Sequence, residues 1–337
     1  MPSQKPAAGA APPELSVVVV TFRRPQLLQE CLESVRLALE QLAGEAEVIV
    51  VDNGSQDETG ELVRDRLGVR LITIRNNVGF TAGVSRGIHG ARGAWIALLN
   101  DDVTVDPETF RALLAVGRTA PDVGAVAAQM RFADRPATIN SAGIEIDRLG
   151  VAADRLLGQP AEASEREPVE VFGVSGGAAL YRREMLQDVD GFDESFFAYL
   201  EDVDLAWRAR MRGWRALYAP AAVVHHHHSA TLIHGSPQKY YLVGRNRVRL
   251  LAKNATTRQL VRYGSLMLAY DLAYVAFVVA TRRTLKPVRG RLAGLREWRR
   301  YRAAGAAIRR DVPLAPLIGL RRALARNRTW RSQREGT

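Results

Sequence analysis

The sequence predicts an α/β protein built on a doubly wound, mostly parallel sheet, followed by a helical, basic C-terminal extension. Short apolar runs recur four times within the first hundred residues, and such runs are typical of strands buried on both faces of a parallel sheet. Helical patterns and short links alternate with these runs, which favours right-handed parallel crossovers. Near the C-terminal end, apolar runs give way to arginine-rich amphipathic segments.

Length and composition describe a globular chain with enough residues to bury a substantial core. The 337 residues are 47% hydrophobic and 25% charged. The single cysteine, Cys31, excludes an internal disulfide and suits a reducing compartment. Residues 1–14 are rich in Pro and Ala and lack the apolar core of a secretory signal, so we expect a disordered lead-in and a cytoplasmic protein.

The net charge of +11 is concentrated at one end of the chain. Residues 282–337 contain 17 Arg or Lys against three acidic residues, a local charge of +14 that leaves −3 for the rest. The basicity is therefore a property of the C-terminal region and not of the predicted sheet domain.

The elements follow from apolar periodicity and turn residues. Strands are predicted at residues 15–21, 47–51, 69–74, 95–99, 123–128 and 221–224. Helices are predicted from Pro25, through Leu62 and Val63, over residues 81–90 and over residues 107–118. Residues 131–168 are mixed and contain glycine, which favours hairpins and a loop over the site.

Polar residues follow each of the first four strands at its carboxyl end. They are Thr21 and Arg23, Asp52 and Asp57, Asn76 and Asn77, and Asn100 to Asp102. Because the carboxyl ends of parallel strands meet at one edge of a sheet, these four loops are expected to converge on one crevice. The run Thr21-Phe22-Arg23-Arg24 stands where a Gly-rich dinucleotide fingerprint would be needed, which argues against an NAD enzyme.

The triplet Asn100-Asp101-Asp102 places two adjacent carboxylates after the fourth strand. Two neighbouring acids repel each other, so a positive group is expected beside them. Mg²⁺ or Mn²⁺ is the natural oxygen-seeking candidate. The alternative is a strand followed by an Asp-rich turn that binds nothing.

Several segments together resemble the family 2 inverting glycosyltransferases of GT-A fold. Three of them are Asp52-Asn53-Gly54-Ser55-x-Asp57, Asn77-x-Gly79-Phe80 and Leu99-Asn100-x-Asp102. The most specific is Gly191-Phe192-Asp193-Glu194-Ser195, continued by Glu201-Asp202-Val203-Asp204-Leu205, which is similar to the rhamnosyl- and galactofuranosyl-transferase branch. The likeness runs from about residue 15 to about residue 254.

The resemblance implies a UDP- or dTDP-sugar donor and a divalent metal, Mn²⁺ or Mg²⁺. By this likeness Asp102 is a metal ligand, and Asn100 and Asp101 lie near the ribose and the diphosphate. Asp52 is expected to read the uracil or thymine ring. Further donor contacts are expected from Thr21, Arg23, Asn77, Gly79 and Ser85. Ser85 departs from the family, whose members usually carry Asn there, so its donor contact is in doubt.

The same resemblance implies that Asp202 is the general base, with Glu201, Gly176 and Gly177 beside the acceptor. Glu201-Asp202 also begins a helical pattern, where the positive end of the helix dipole favours an ionised carboxylate. Two simpler interpretations stay open from the residues alone. The acids would then only cap a helix, and the Gly pair would only form a tight turn.

Four consecutive histidines, residues 225–228, follow the predicted strand 221–224. Histidine binds transition metals, including Mn²⁺ and Zn²⁺. The resemblance implies that one of them is a further metal ligand. Strand alternation selects His226, with His228 as runner-up.

Beyond the histidines, Tyr240-Tyr241-x-x-x-Arg245-Asn246 resembles a helix start of the family, where Arg245 would meet a diphosphate. Residues 266–280 are apolar except for Asp271. These fifteen residues are short of the roughly 20 that span a bilayer, so an in-plane or packed helix is expected.

Basic amphipathic blocks close the chain. They lie around Arg296-Glu297-Trp298-Arg299-Arg300, Arg309-Arg310 and Arg321-Arg322, with Trp330 near the end. An anionic membrane surface is the expected partner of this region. Nucleic-acid binding and a merely solvated helical face are the alternatives.

Together these features predict a glycosyltransferase that acts on a saccharide or polyprenyl-linked acceptor in cell-envelope polysaccharide synthesis, peripheral on the inner face of the cell membrane. We expect a lead-in at 1–14, a catalytic domain at 15–235 and a helical region at 236–337, with no nucleic-acid partner. A nucleotidyltransferase is the second hypothesis, but the Gly-rich phosphate loop that it needs is missing. A catalytically inactive membrane- or nucleic-acid-binding protein is the third, and the intact Asp102 and Asp202 argue against it.

Overall fold

The computed structural model describes residues 12–64, 66, 68–227 and 236–315. Strand and helix alternate along the first hundred residues, as predicted. The elements are β1 (Leu15–Thr21), α1 (Pro25–Glu40), β2 (Ala46–Asp52), α2 (Thr59–Arg64), β3 (Val69–Thr73), α3 (Phe80–Gly90) and β4 (Trp95–Asn100). Glu14, the last residue of the predicted lead-in at 1–14, already contacts the folded domain. Its backbone N–H donates to the Glu45 carbonyl at 2.9 Å.

The next hundred residues mix strands with shorter helices. They form β5 (Val103–Val105), α4 (Thr109–Gly117), β6 (Val123–Phe132), β7 (Arg135–Ser141), β8 (Ile144–Ile146), β9 (Ala152–Asp154), β10 (Val169–Val171), β11 (Ala178–Arg182), α5 (Arg183–Asp188), α6 (Glu201–Met211) and β12 (Arg215–His226). The predicted hairpins of residues 131–168 are present as the antiparallel pairs β6–β7 and β8–β9. The strands predicted at 123–128 and 221–224 are parts of the longer β6 and β12.

The central sheet has the order β10-β12-β6-β11-β4-β1-β2-β3, so β1 lies between β2 and β4. The four strands from β4 to β3 are parallel. β11 runs antiparallel to both β4 and β6, which makes the other half of the sheet mixed. The strand order reverses between β1 and β4, and such a switch point is where open α/β sheets bind ligands.

Helices cover both faces of this sheet. Val17 and Val19 of β1 pack in the same hydrophobic cluster as α1 and α4, whereas Val18 packs in the cluster that contains residues of α3 and α6. All seven residues of β1 are buried, as its uninterrupted apolar run predicts. The loops at the carboxyl ends of the parallel strands therefore form the open edge of the domain.

Four helices follow the sheet: α7 (Pro237–Asn254), α8 (Thr257–Arg282), α9 (Lys286–Arg296) and α10 (Trp298–Ala304). α7 packs against α6, where Trp207 and Leu250 share a third hydrophobic cluster. Glu297, between α9 and α10, forms an ion pair with Arg249 of α7. The described part of the basic region is therefore a structural layer of the protein.

Helix α8 is longer than the apolar segment predicted at residues 266–280. It has 26 residues, and within the described ranges it is the one helix long and apolar enough to cross a membrane. The apolar segment 266–280 is shorter than the helix that contains it. Thr257 to Tyr263 add two helical turns at its start, which the apolar pattern alone did not include. His228, Arg321, Arg322 and Trp330 lie outside the described residues.

Candidate active site

Two carboxylates at the end of β4 form the centre of the site. Asp101 and Asp102 are 5% and 4% exposed. Because β1 is the neighbour of β4, the loop after β1 reaches them. Thr21 Oγ1 donates a hydrogen bond to Asp101 Oδ2 at 2.8 Å. Thr21, predicted to contact the donor, therefore holds one of the acids in place.

Arg24 supplies the positive charge that the two acids require. Its Nη1 lies 2.8 Å from Asp102 Oδ2 and 3.5 Å from Asp101 Oδ1. The neighbouring Arg23 was predicted to contact the donor, and its guanidinium lies over the ring of Phe22, 5.1 Å from the ring centroid. Arg23 has a positive φ of 56°, which turns the two arginines in different directions. The Arg23-Arg24 doublet after β1 was the signal for this contact, and choosing between its members required the backbone.

Burial and charge give the two carboxyls different acidities. Burial, reinforced by the charge of Asp102, raises the pKa of Asp101 to about 6. Burial opposes ionisation of Asp102 as well, but the hydrogen bond and charge of His226 and the charge of Arg24 hold the pKa of Asp102 below its usual value. Asp102 is therefore the more readily ionised member of the pair.

Strand β12 brings His226 to Asp102. β12 pairs with β5 so that His226 lies opposite Val103. The imidazole Nε2 of His226 is 3.3 Å from Asp102 Oδ1, and its Nδ1 is 3.0 Å from Asn140 Oδ1. Asn140 was not predicted as a site residue, because it lies on β7 in the region that the sequence left unassigned.

Alternation along β12 turns the neighbouring histidines elsewhere. His225 Nε2 lies 3.2 Å from Asp106 Oδ1, and His227 Nε2 lies 3.8 Å from Glu30 Oε2. Of the three described histidines in the run 225–228, His226 is thus the one whose side chain reaches Asp102, as the alternation of strand side chains predicted.

Asp102 and His226 fit a divalent cation. Asp102 Oδ1 is buried and accepts no well-directed hydrogen bond. A carboxylate oxygen in that state beside an imidazole nitrogen is a suitable donor pair for Mn²⁺ or Mg²⁺. The described ranges contain no group of three or more His, Cys, Asp or Glu side chains that could hold a metal.

Asn53 ties together the loops that follow β2 and β3. Its Nδ2 donates to the Gly79 carbonyl at 3.0 Å, and its Oδ1 accepts from the Val78 N–H at 3.1 Å. Asn77 Oδ1 accepts from the Gly79 N–H at 2.9 Å. Asn77 and Gly79, predicted to contact the donor, therefore shape this loop, and Asn53 was missed as its organiser.

Asp52 and Ser85 are both buried, at 3% and 5% exposure. Asp52 Oδ1 accepts from the Ser55 N–H at 2.9 Å, so one carboxylate oxygen already stabilises the turn after β2. The Ser85 carbonyl is 2.7 Å from Nδ1 of His89, one turn further along α3. The described contacts do not join Ser85 to the acidic pair.

Asp202 lies in the first turn of α6 and faces a Gly-Gly turn. Its Oδ2 accepts from the Gly176 N–H at 3.2 Å, and its Oδ1 accepts from the Val203 N–H at 2.8 Å. The adjacent Gly177 carbonyl accepts from the Asn100 N–H at 2.9 Å. The predicted acceptor glycines therefore connect Asp202 to the end of β4. A Cβ on Gly177 would lie 2.8 Å from the Met130 methyl, so a side chain there would require Met130 to move.

Glu201, which is buried, and Asp202, which is half-buried, form an acidic pair. Burial raises the pKa of both carboxyls, and the charge of Asp202 raises that of Glu201 further. Backbone N–H groups from Gly176 and Val203 oppose the rise in the pKa of Asp202. Glu201 is therefore the weaker acid of the pair, and its Oε2 is buried with no hydrogen-bond partner among the described residues.

The third acid of this segment, Asp204, is structural. It is fully buried and accepts hydrogen bonds from Arg208 Nε at 2.8 Å, Lys253 Nζ at 3.0 Å and Asn254 Nδ2 at 2.8 Å. The helix-capping interpretation of the acidic run is incomplete for this residue, because its partners come from α7 as well as from its own helix.

Arg245, predicted to contact a diphosphate, forms hydrogen bonds with the backbone before α6. Its Nη2 donates to the Phe196 carbonyl at 2.9 Å and lies 3.4 Å from the Ser195 carbonyl. Burial lowers the pKa of its guanidinium. The described contacts of Arg245 therefore hold the segment before α6, and none of them reaches the acidic pair of β4.

The sheet is doubly wound and carries the carboxylates of Asp101 and Asp102 at its switch point. A further carboxylate, that of Asp202, lies against the Gly176-Gly177 turn. This arrangement is that of a glycosyltransferase of GT-A fold. Solved structures share this fold. GalNAc-T7 with UDP, GalNAc and Mn²⁺ has a TM-score of 0.60 and 16% identity, covering 85% of this chain and 57% of that one. The mannosyltransferase PcManGT from Pyrobaculum calidifontis in complex with GDP-Man and Mn²⁺ has a TM-score of 0.52 and 19% identity, covering 90% and 88%.

The chain belongs to glycosyl transferase family 2, whose family model matches residues 16–190. It is 34% identical over 237 residues to the N-acetylglucosaminyl-diphospho-decaprenol L-rhamnosyltransferase of Mycobacterium tuberculosis, covering 63% of this chain and 76% of the relative. It is 27% identical over 233 residues to the O-antigen biosynthesis protein RfbC of Myxococcus xanthus, covering 65% of this chain and 18% of that protein. The predicted family, fold and enzyme class are confirmed.

Proposed function

We propose that the protein is an inverting glycosyltransferase that moves a sugar from a UDP- or dTDP-linked donor to a lipid-linked saccharide of the cell envelope. The observation that carries this proposal is that the candidate metal ligands and the candidate general base lie at the same end of β4. Asp102 and His226 lie beyond β4, and Asp202 is joined to the same strand through Gly177. The printed name of the M. tuberculosis relative, a rhamnosyltransferase with a decaprenol-linked acceptor, supports this substrate class.

On the donor side, Asp102 and His226 would hold the divalent cation, Mn²⁺ or Mg²⁺. When bound, this cation supplies Lewis-acid neutralisation of the leaving diphosphate. Arg24 already lies against Asp101 and Asp102 and is placed to donate hydrogen bonds to phosphate oxygens. The Mn²⁺ in two solved structures of the same fold supports a metal in this place.

On the acceptor side, Asp202 takes the proton of the attacking hydroxyl as general base. The acceptor oxygen forms its bond to the anomeric carbon while the bond from that carbon to the diphosphate breaks on the opposite face, which inverts the configuration. Glu201, the weaker acid of the pair, donates a hydrogen bond to the acceptor. Gly176 and Gly177 allow the acceptor to approach the backbone closely.

The donor assignment is tested by thermal protection with a panel of nucleotide sugars and Mn²⁺. A ligand at 100 times its Kd stabilises the folded state by about 2.7 kcal/mol. We expect UDP- or dTDP-sugars to raise the midpoint only with the metal present. Asp102→Ala should lose this metal-dependent part, and Asp134→Ala, on the exposed turn between β6 and β7, should keep it. Protection by other nucleotides alone, or equal protection without metal, would contradict the assignment.

Helix α8 supports a membrane location for this activity. Its acid, Asp271, faces the protein, where Arg247 Nε and Arg291 Nη2 lie 2.7 and 3.0 Å from Asp271 Oδ1. Its exposed side carries Leu268 and Leu272, at 60% and 61% exposure. A helix with its charge inward and its leucines outward is the reverse of a water-exposed amphipathic helix. We propose that this side lies in the plane of the membrane surface.

The surroundings of α8 favour an anionic lipid surface on the cytoplasmic side. Exposed arginines follow α8 along the chain, among them Arg283, Arg289 and Arg296. Each such residue near an anionic leaflet contributes about 1 kcal/mol. The ion pairs of Asp271 favour a helix that stays on the protein over one that leaves it to span the bilayer.

This location is tested with anionic vesicles and the full chain, because deleting residues 282–337 would remove the layer that packs on α7. The triple change of Leu268, Leu272 and Phe277 to Gln should release the protein, whereas Leu37→Gln, an exposed leucine of α1, should not. Release by alkaline carbonate is expected of a peripheral helix. Retention would instead indicate a spanning one, and salt-sensitive binding to duplex DNA without vesicle binding would favour the nucleic-acid alternative.

A further inference from the structure

The backbone just before Asp202 has an unusual conformation. Phe197, Tyr199 and Leu200 have φ angles of +67°, +71° and +66°. A positive φ is unfavourable for a non-glycine residue and persists only where the surroundings fix it. Leu200 directly precedes α6, so the strained run ends two residues before Asp202. The segment 196–200 is called the base loop below.

Asn246 of α7 is the side chain that contacts most of the base loop. It is fully buried. Its Nδ2 lies 2.9 Å from the Phe196 carbonyl, 2.8 Å from the Ala198 carbonyl and 2.8 Å from the Tyr199 carbonyl. An amide group has two N–H donors, so these three carbonyls use its full donor capacity. Its Oδ1 accepts from Arg245 Nε at 3.1 Å, which fixes the orientation of the amide.

Two arginines of α7 hold the upstream end of this segment. Arg245 contacts Ser195 and Phe196, and Arg249 Nη1 donates to the Ser195 carbonyl at 2.5 Å. The carbonyls of Ala198 and Tyr199, which lie closest to α6, are held by Asn246 in the described structure.

The base loop also touches the donor side of the site. The Thr81 N–H donates to the Phe197 carbonyl at 3.1 Å. A Cβ on Gly79 would lie 2.5 Å from the Phe197 ring, so the two loops are in direct contact. A change in the conformation of residues 197–200 would therefore alter the position of the base relative to the donor loop.

We propose that Asn246 is a positioning residue for the transfer reaction: its carboxamide fixes the base loop in the strained conformation that places Asp202 against Gly176. This inference rests on the assignment of Asp202 as the base under the proposed function. Asn246 itself has no part in binding either substrate, because it is fully buried beneath the loop. Without its donors, the carbonyls of Ala198 and Tyr199 lose their described side-chain partner, and the loop relaxes toward negative φ.

The test compares two buried asparagines of the same helix. Asn254, also fully buried, donates to Asp204 at 2.8 Å and to the Leu250 carbonyl at 3.2 Å, away from the base loop. Asn246→Ala should lower kcat by at least about a hundredfold, the cost of a misplacement near 1 Å. The affinity for UDP with Mn²⁺, measured by calorimetry, should stay unchanged. Asn254→Ala should lower the thermal midpoint to a similar degree and leave kcat near the wild-type value.

Further variants separate the possible failures. Asn246→Ser, whose hydroxyl keeps one donor, replaces the alanine variant if that variant does not fold, and should lose less in kcat. Equal losses of kcat and of UDP affinity in both asparagine variants would mean a general structural role and overturn the inference. Asp202→Asn is measured in parallel. If it is inactive while Asn246→Ala behaves like Asn254→Ala, only the positioning inference fails. If Asp202→Asn turns over normally, the base assignment fails first.

Discussion

The substitution Asp202→Asn keeps the shape of the side chain and removes its basicity. Both oxygens of Asp202 accept a backbone N–H, from Gly176 at 3.2 Å and from Val203 at 2.8 Å. Asparagine has one acceptor oxygen, so it is expected to keep the shorter bond to Val203 and to turn its NH₂ toward the Gly176 N–H. The variant then loses one hydrogen bond to a charged group, about 1.5–3 kcal/mol of stability.

The loss in rate is expected to be larger than this structural cost. Removing a general base lowers turnover by about 10²–10⁴. At about 1.36 kcal/mol for each factor of ten, this corresponds to about 2.7–5.4 kcal/mol of activation free energy. Donor affinity should be unchanged, because Asp202 contacts Gly176 and the groups that would hold the diphosphate lie around Asp102.

The assay measures sugar transfer under saturating donor and Mn²⁺, with donor affinity measured separately by calorimetry. Glu201→Gln is the comparison, because it removes the carboxyl adjacent to Asp202 in the first turn of α6. A helix-capping role predicts similar losses for the two variants, whereas a base role predicts a far larger loss for Asp202→Asn. Near-normal turnover in Asp202→Asn would refute the reasoning.

Three further outcomes follow from the same structure. Burial raises the pKa of Asp202 above the value of about 3.9 for an exposed Asp, so kcat should rise with pH through an acid limb above pH 4, and a lower limb would contradict this. Asp204→Asn should lower the free energy of unfolding by about 3–5 kcal/mol in denaturant titrations. Although burial opposes it, Arg208 holds the pKa of Asp204 low, so the wild type keeps this contribution above about pH 4 and loses it as pH falls. His226→Ala should weaken Mn²⁺ binding in calorimetry, but less than Asp102→Ala.

The sheet and much of the site were predictable because their signals are local. The all-apolar run of β1 predicts a strand buried on both faces, and all of its residues are buried. Polar residues at strand ends predict a shared edge, and Thr21 meets Asp101 there. Alternation along β12 predicts that His226, and not His225, faces the site. Each of these inferences needs only the period of a strand or the direction of a sheet.

The missed residues depend on contacts between distant segments. Arg24 reaches Asp102 from 78 residues away, and Asn140 reaches His226 from 86 residues away. Nothing in the local pattern of either residue indicates its partner. Arg245 was assigned by resemblance to a diphosphate, and its described hydrogen bonds go to backbone carbonyls before α6 and to the side chain of Asn246. The extent of α8 was missed because polar residues at its start interrupt the apolar count without ending the helix.

Helix α7 has a consequence for attempts to recombine this enzyme with its relatives. Along one helix, Asn246 contacts the base loop, Arg247 pairs with Asp271 of the outward-facing helix, and Lys253 lies 3.0 Å from Asp204 beneath the base. A chimera cut at residue 235 would therefore exchange the support of the base together with helix α8 and the helices that follow it. A graft intended to change only acceptor preference should carry α6 and α7 as a single cassette, so that each sequence keeps the partners with which it evolved.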